Sequence, residues 1–148
     1  MSDEHGYYLE DLEVGMTASY SRTVTDADVV LFAGISGDIN PVHMNNEYAK
    51  ATMFKGRIAH GMLTASFIST VLGTKLPGPG CIYVSQNLKF RAPVRIGDTV
   101  RTRVTITAID RERGRVAFET TCSVGDTVVI SGDASLMVQR RPVPQAAE

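Results

Sequence analysis

The sequence has little that would tie it to a metal, a membrane or a nucleic acid. Its two cysteines, Cys81 and Cys122, stand far apart and outside any CxxC pair. That spacing argues against a structural metal site or a redox motif, and both read as small buried hydrophobes in reduced form. No apolar run approaches the roughly 20 residues needed to span a bilayer. The opening stretch "MSDEHGYYLEDLEVG" is acidic and lacks an apolar h-region, which argues against a signal peptide and for a cytoplasmic protein. A formal net charge of −1 gives no electrostatic case for nucleic acid or an acidic membrane. There is no internal repeat, no low-complexity segment, and no motif for a metal, flavin or nicotinamide.

What is present is an ordinary globular composition, 43% hydrophobic and 21% charged over 148 residues. That length suits a single domain over 1–148 with one buried core. The tails "MSDEHG" and "RRPVPQAAE" read as frayed and polar, leaving approximately 7–140 as the ordered core and His5 in solvent.

The pattern changes near Gly80. Before it, "TDADVVLFAGISG" reads as a helix with Thr25 as N-cap, acids in the first turn and Gly37 as its stop. "NNEYAKAT" reads as a short second helix with an asparagine cap. "HGMLTASFISTVLG" is apolar nearly all round, the mark of a helix buried on every side, with Gly73 as its stop and "KLPGPG" as a loop. After Gly80 the period is two. "CIYVSQNLKF", "TVRTRVTITAID", "RVAFETTCSV" and "TVVISGDASLMVQ" read as strands, and "MTASYSRTV" as an earlier one. Val104, Ile106 and Ala108 fall on one face of the second of these. "DRERGR" and "VGD" read as hairpin turns, the former a solvated charge cluster. Leu88 and Phe90 are expected to face the core, with Lys89 and Arg91 outward. One buried helix against a curled antiparallel sheet is an α+β architecture. An open sheet edge favours pairing with a second copy, so a homodimer is expected.

The chemistry is concentrated in "SGDINPVH", residues 36–43. Gly-Asp and Asn-Pro are ordinary turn pairs, and Asp38 could simply cap backbone amides. The alternative is a rigid mount. Pro41 fixes its own φ and keeps Asn40 out of the α region, so Asp38 and His43 are held in a stiff segment. An aspartate and a histidine are complementary proton handlers near neutral pH. A "His-Gly" pair follows at His60 and Gly61, where the apolar helix begins. A helix start offers unpaired N–H groups, and Gly61 has no side chain to shield its own. Acid, imidazole and oxyanion-type donor together suit chemistry on a carbonyl compound.

"FAGISGDINPVHMNNEYA", residues 32–49, resembles the signature of the R-specific enoyl-CoA hydratases, the hydratase 2 or MaoC-like group of the hotdog fold. The matching positions are Phe32, Ile35, Ser36, Gly37, Asp38, Asn40, Pro41, His43 and Ala49. "RIAHGMLTASFISTVLG" and "LPGPGCIYVSQNLKFRAPVRIGDTV" extend the likeness to the family's central helix and the strand after it. The length resembles the short members that supply monomers for polyhydroxyalkanoate synthesis. The resemblance implies a curled sheet wrapped around a long central helix. It implies water addition to a trans-2-enoyl-CoA, giving the (R)-3-hydroxyacyl-CoA. Asp38 would act as general base, His43 would orient the water and share in delivering a proton to the α carbon, and the Gly61 N–H would bind the thioester oxygen. Ser69 would hydrogen-bond Asp38, against the alternative of a core serine bonding its own helix carbonyl. Ser66 and Thr64 read as such fillers, and Asn40 as a brace for the loop. His60 either assists the site or pairs with backbone.

No cofactor is implied, since coenzyme A enters with the substrate. Its phosphates call for cations, and Lys55, Arg57, Lys89 and Arg91 are the candidates, each otherwise a plain surface charge. Two other functions use the same framework, a 3-hydroxyacyl-ACP dehydratase and a non-catalytic acyl-CoA binding hotdog. The presence of both Asp38 and His43 counts against the second.

Overall fold

The computed structural model describes residues 4–143. Strand β1 (Thr17–Thr23) leads to helix α1 (Asp26–Ser36), the short helices α2 (Pro41–Met44) and α3 (Asn46–Ala51), and the long helix α4 (Gly61–Thr74). Four strands follow: β2 (Ile82–Phe90), β3 (Thr99–Asp110), β4 (Arg115–Val124) and β5 (Thr127–Met137). All pairings are antiparallel, in the order β1-β3-β4-β5-β2. The expected turns join β3 to β4 and β4 to β5. β2 does not pair with β3, its successor in the chain, but lies beyond β5 at the far edge.

Helix α1 starts and stops as its sequence requires. The Thr25 hydroxyl accepts from the Asp28 N–H while the Asp28 carboxylate accepts from the Thr25 N–H, a reciprocal capping box. Its C-cap is Gly37 at φ 77°, a left-handed conformation that glycine adopts without steric cost. Helix α4 lies against the concave face of the sheet. Phe67, Ile68 and Val71 pack there in one core with Val104, Ile106 and Phe118, all buried. Full burial of each such side chain contributes about 1.5–3 kcal/mol relative to exposure. This helix across a curled antiparallel sheet is the α+β hotdog arrangement.

Several local expectations are corrected. Helix α4 is not covered on every side. Met62, Ser66, Ser69 and Gly73 form an exposed stripe, and the helix runs past Gly73 to Thr74. Ala108 is exposed because the β3–β4 register shifts between Ile106 and Ala108. A bulge of that kind reverses the in-out alternation beyond it, and Ile109 packs on the core instead. Phe90 is 53% exposed rather than inward.

The described parts of the tails are tied down. The Gly6 N–H donates to the Pro79 carbonyl and the Leu9 N–H to the Gln139 carbonyl. His5 is half-buried and stacks on Tyr8 at 4.1 Å, and Arg141 pairs with Asp11. The charged turn is more than a solvated cluster, because Arg111 donates to the carbonyls of Leu9 and Leu12. Residues 1–3 and 144–148 of the expected frayed tails lie outside the described residues. Burial pushes both the Cys81 and the Cys122 thiols up, as expected of unreactive cysteines. No helix of the described residues is long and apolar enough to cross a membrane.

Candidate active site

The segment between α1 and α2 is a chain of short-range side-chain bonds. The Ser36 hydroxyl accepts from the Asp38 N–H at 3.1 Å, and the Asp38 carboxylate accepts from the Asn40 N–H at 3.1 Å. The Asn40 side chain then accepts from the Val42 N–H at 3.1 Å, which makes Asn40 the N-cap of α2 with Pro41 behind it in the first turn. Asparagine at the cap and proline at the first helical position are the preferred residues for such a start. The short helix carries His43 at a fixed angle. The turn reading and the rigid-mount reading of "SGDINPVH" therefore both describe this segment. Asp38 caps an amide with one oxygen and remains exposed, whereas His43 is buried.

The imidazole is oriented by its other nitrogen. His43 Nδ1 lies 2.8 Å from the Ile58 carbonyl oxygen. A carbonyl only accepts, so Nδ1 carries the proton and Nε2 of the neutral ring keeps its lone pair. Burial is the main cause that pushes the His43 imidazole below its ordinary value. The Ile58 carbonyl and the Asp38 carboxylate act the other way, while His60 and Arg57 add to the lowering.

Helix α4 begins directly beside this segment. Its first internal bonds come from the Leu63 and Thr64 N–H groups to the His60 carbonyl. The Gly61 N–H donates to no carbonyl or side chain of the described residues. A Cβ on Gly61 would stand 2.7 Å from the Phe90 ring, so glycine is what lets β2 approach the helix start. His60 is 1% exposed, and its Nε2 donates to the Asp38 carbonyl at 2.8 Å. Asp38, His43 and Gly61 line one cavity of about 550 Å³, walled by apolar side chains including Met53, Met62, Phe90 and Ile130. Asp38, His43 and His60 also offer ligand-type atoms within 4.8 Å of one another.

The remaining expected residues divide. Arg91 lines the cavity and donates to the Ser131 hydroxyl, and Lys55 and Lys89 are exposed. Arg57 is committed elsewhere: it donates to the His43 carbonyl at 2.5 Å and pairs with Asp26 at 2.8 Å, so it braces α2. Ser69 makes no hydrogen bond to Asp38 within the chain and is exposed. At the usual helical rise it lies about 12 Å along α4 from Gly61, whereas Asp38 sits at the helix start. Ser66 does bond its own helix, donating to the Leu63 carbonyl. Thr64 does not: its buried hydroxyl has no partner, and the residue lines the cavity. Sequence reads Thr64 as a filler and Phe90 as core-facing, and marks neither as a cavity residue, because a threonine in a helix and a phenylalanine in a strand carry no signal of their surroundings.

This geometry has relatives. Residues 11–128 match the family described as "MaoC like domain". The chain is 57% identical over 135 residues to an (R)-specific enoyl-CoA hydratase of Rhodospirillum rubrum, covering 91% of this chain and 94% of that protein. It is 52% identical over 134 residues to a 3-hydroxybutyryl-CoA dehydratase of Methylorubrum extorquens, covering 90% and 85%. Among solved structures it is similar to the (R)-hydratase from A. caviae involved in PHA biosynthesis, with a TM-score of 0.85 and 38% identity over 87% of this chain and 98% of that one. The match over most of the chain, on a fold that sets an aspartate, a histidine and a free helix-start N–H around one cavity, places this protein in the MaoC-like family.

Proposed function

We propose that this protein hydrates trans-2-enoyl-CoA thioesters to (R)-3-hydroxyacyl-CoA, reversibly, in the cytoplasm. The observation that carries the reading is the convergence of Asp38, His43 and Gly61 on one apolar-walled cavity. Water entering it meets two acceptors, the Asp38 carboxylate and the lone pair of neutral His43. With one hydrogen directed at each, the water oxygen is free to attack C3. Asp38 takes one proton as the C–O bond forms, and the other hydrogen remains on the new hydroxyl. The electron pair of the double bond moves toward the thioester, whose oxygen is bound by the Gly61 N–H. The proton held by Asp38 then passes to C2 on the same face. An oxyanion donor of this kind is worth about 10²–10³ in rate.

The reaction involves no net redox change and calls for no cofactor. Arg91, Lys55 and Lys89 would meet the phosphates of coenzyme A; that Arg91 lines the cavity and both lysines are exposed supports this assignment. A homodimer is part of the proposal, supported by the exposed stripe of α4 and by edge strand β2, which exposes Ile82, Val84 and Phe90. The likeness to the A. caviae enzyme supports a role in supplying (R)-monomers for polymer synthesis.

The test is the assay of purified protein on crotonyl-CoA with a chelator present, following loss of the enoyl-thioester absorbance and identifying the product. Rapid formation of the (R)-alcohol is expected. An inactive protein, also inert toward longer enoyl-CoAs, or an (S)-product would overturn the reading and the polymer route with it.

A further inference from the structure

His60 occupies the N-cap of α4, yet its side chain caps nothing. An N-cap side chain ordinarily accepts from the N–H groups of its own first turn. Here the ring turns away and leaves those groups to a ligand. Its Nε2 donates instead to the Asp38 carbonyl at 2.8 Å. The ring also packs at a tilt on His43, with centroids 4.0 Å apart and planes 33° from parallel, and against Phe32 at 4.9 Å. The residue is 1% exposed, and its Nδ1 has no partner. Burying an unpaired polar atom costs roughly 1–3 kcal/mol, so an apolar residue would serve the core better there if packing were all that mattered.

We propose that His60 is a positioning residue that locks the acid/base loop to the oxyanion donor. It is the covalent neighbour of Gly61, it is hydrogen-bonded to the backbone of Asp38, and it backs the ring of His43. One side chain thus fixes the distances among the three groups that must meet the same substrate. It also lines the cavity, and its positioning role is exerted through Asp38 and His43.

The experiment compares His60→Gln and His60→Leu with wild-type protein, measuring kcat and KM for crotonyl-CoA and the melting temperature. Glutamine can still present an N–H to the Asp38 carbonyl, whereas leucine keeps bulk and loses the donor. His60→Leu is expected to lose about 10²-fold in kcat, the scale of an ångström-sized misplacement, with KM held within about twofold. His60→Gln is expected to recover most of the loss. Should His60→Leu fail to fold, His60→Asn takes its place, because its shorter amide falls short of the carbonyl. A donor-less variant with wild-type kcat would overturn the proposal. So would equal losses in the glutamine and donor-less variants tracking their melting temperatures. The inference rests on the hydratase reading: inactive wild-type protein removes both, whereas active wild-type protein with an indifferent donor-less variant removes this one alone.

Discussion

At the scale of single residues, the proposed site rests on what each side chain gives up to the backbone. Asp38 commits one carboxylate interaction to the Asn40 N–H, and His43 commits Nδ1 to the Ile58 carbonyl. Each keeps an acceptor for water. Because burial lowers the His43 imidazole below its ordinary value, the ring stays neutral into mildly acidic solution. The acid limb of kcat/KM is therefore expected below the ordinary histidine range of about 6.5. The same sign applies to folding. The unfolded chain gains His43's proton before the folded one does, so this contribution to stability is intact above that range and declines as pH falls toward the lowered folded value. A pH–rate profile with its acid limb at or above the ordinary value would contradict the assignment. The convergence of Asp38, His43 and Gly61 on one cavity was legible in sequence because their neighbours, Pro41, Asn40 and the helix start, are residue types with fixed backbone consequences. Ser69 makes no bond to Asp38 within one chain and is exposed, and a periodic pattern gives position along a helix but not what stands opposite it.

At the scale of elements, the site is a meeting of two starts: α2, capped by Asn40, and α4, left uncapped at His60. Helices α1 and α3 were legible from their caps, and Thr25 and Asn45 both accept the expected backbone N–H. Helix α2 was read as a loop although Asn-Pro is a proper start signal, because one turn is too short to show a period. The bulge in β3 left no mark either, since alternation continues in the sequence while it reverses in space. The approach of β2 to α4 gives a prediction at this scale. In Gly61→Ala the new methyl meets the Phe90 ring at 2.7 Å. Phe90 is half-exposed and can swing, so the fold should survive while the ring or the helix start shifts. The expected loss in kcat is between about 10-fold and the 10²–10³ of a missing oxyanion donor. Adding Phe90→Ala should restore part of it. A double variant no better than Gly61→Ala would show that the ring is not the obstacle.

At the scale of the whole molecule, the sheet curls around α4 without closing over it. The helix was expected to be buried all round from its apolar girth, and within one chain it is not. The exposed stripe and the apolar edge strand β2 explain the difference if a second copy covers them. Sedimentation equilibrium of the wild-type protein is expected to give twice the chain mass, and a monomer at micromolar concentration would contradict that arrangement. The antiparallel sheet with one central helix was legible from the switch of period near Gly80. The placing of β2 at the far edge was not, because strand order depends on long-range pairing that no local pattern encodes.

The proposed hydration turns on Asp38 as the base. The most direct test is kcat for crotonyl-CoA hydration by Asp38→Asn, measured beside wild-type protein with melting temperature as the control for folding. Asparagine keeps an oxygen to accept from the Asn40 N–H, so the loop should hold. The expected result is a folded protein whose kcat is lower by at least about 10²-fold, the low end for loss of a general base. A folded Asp38→Asn protein with near-normal turnover would contradict the account.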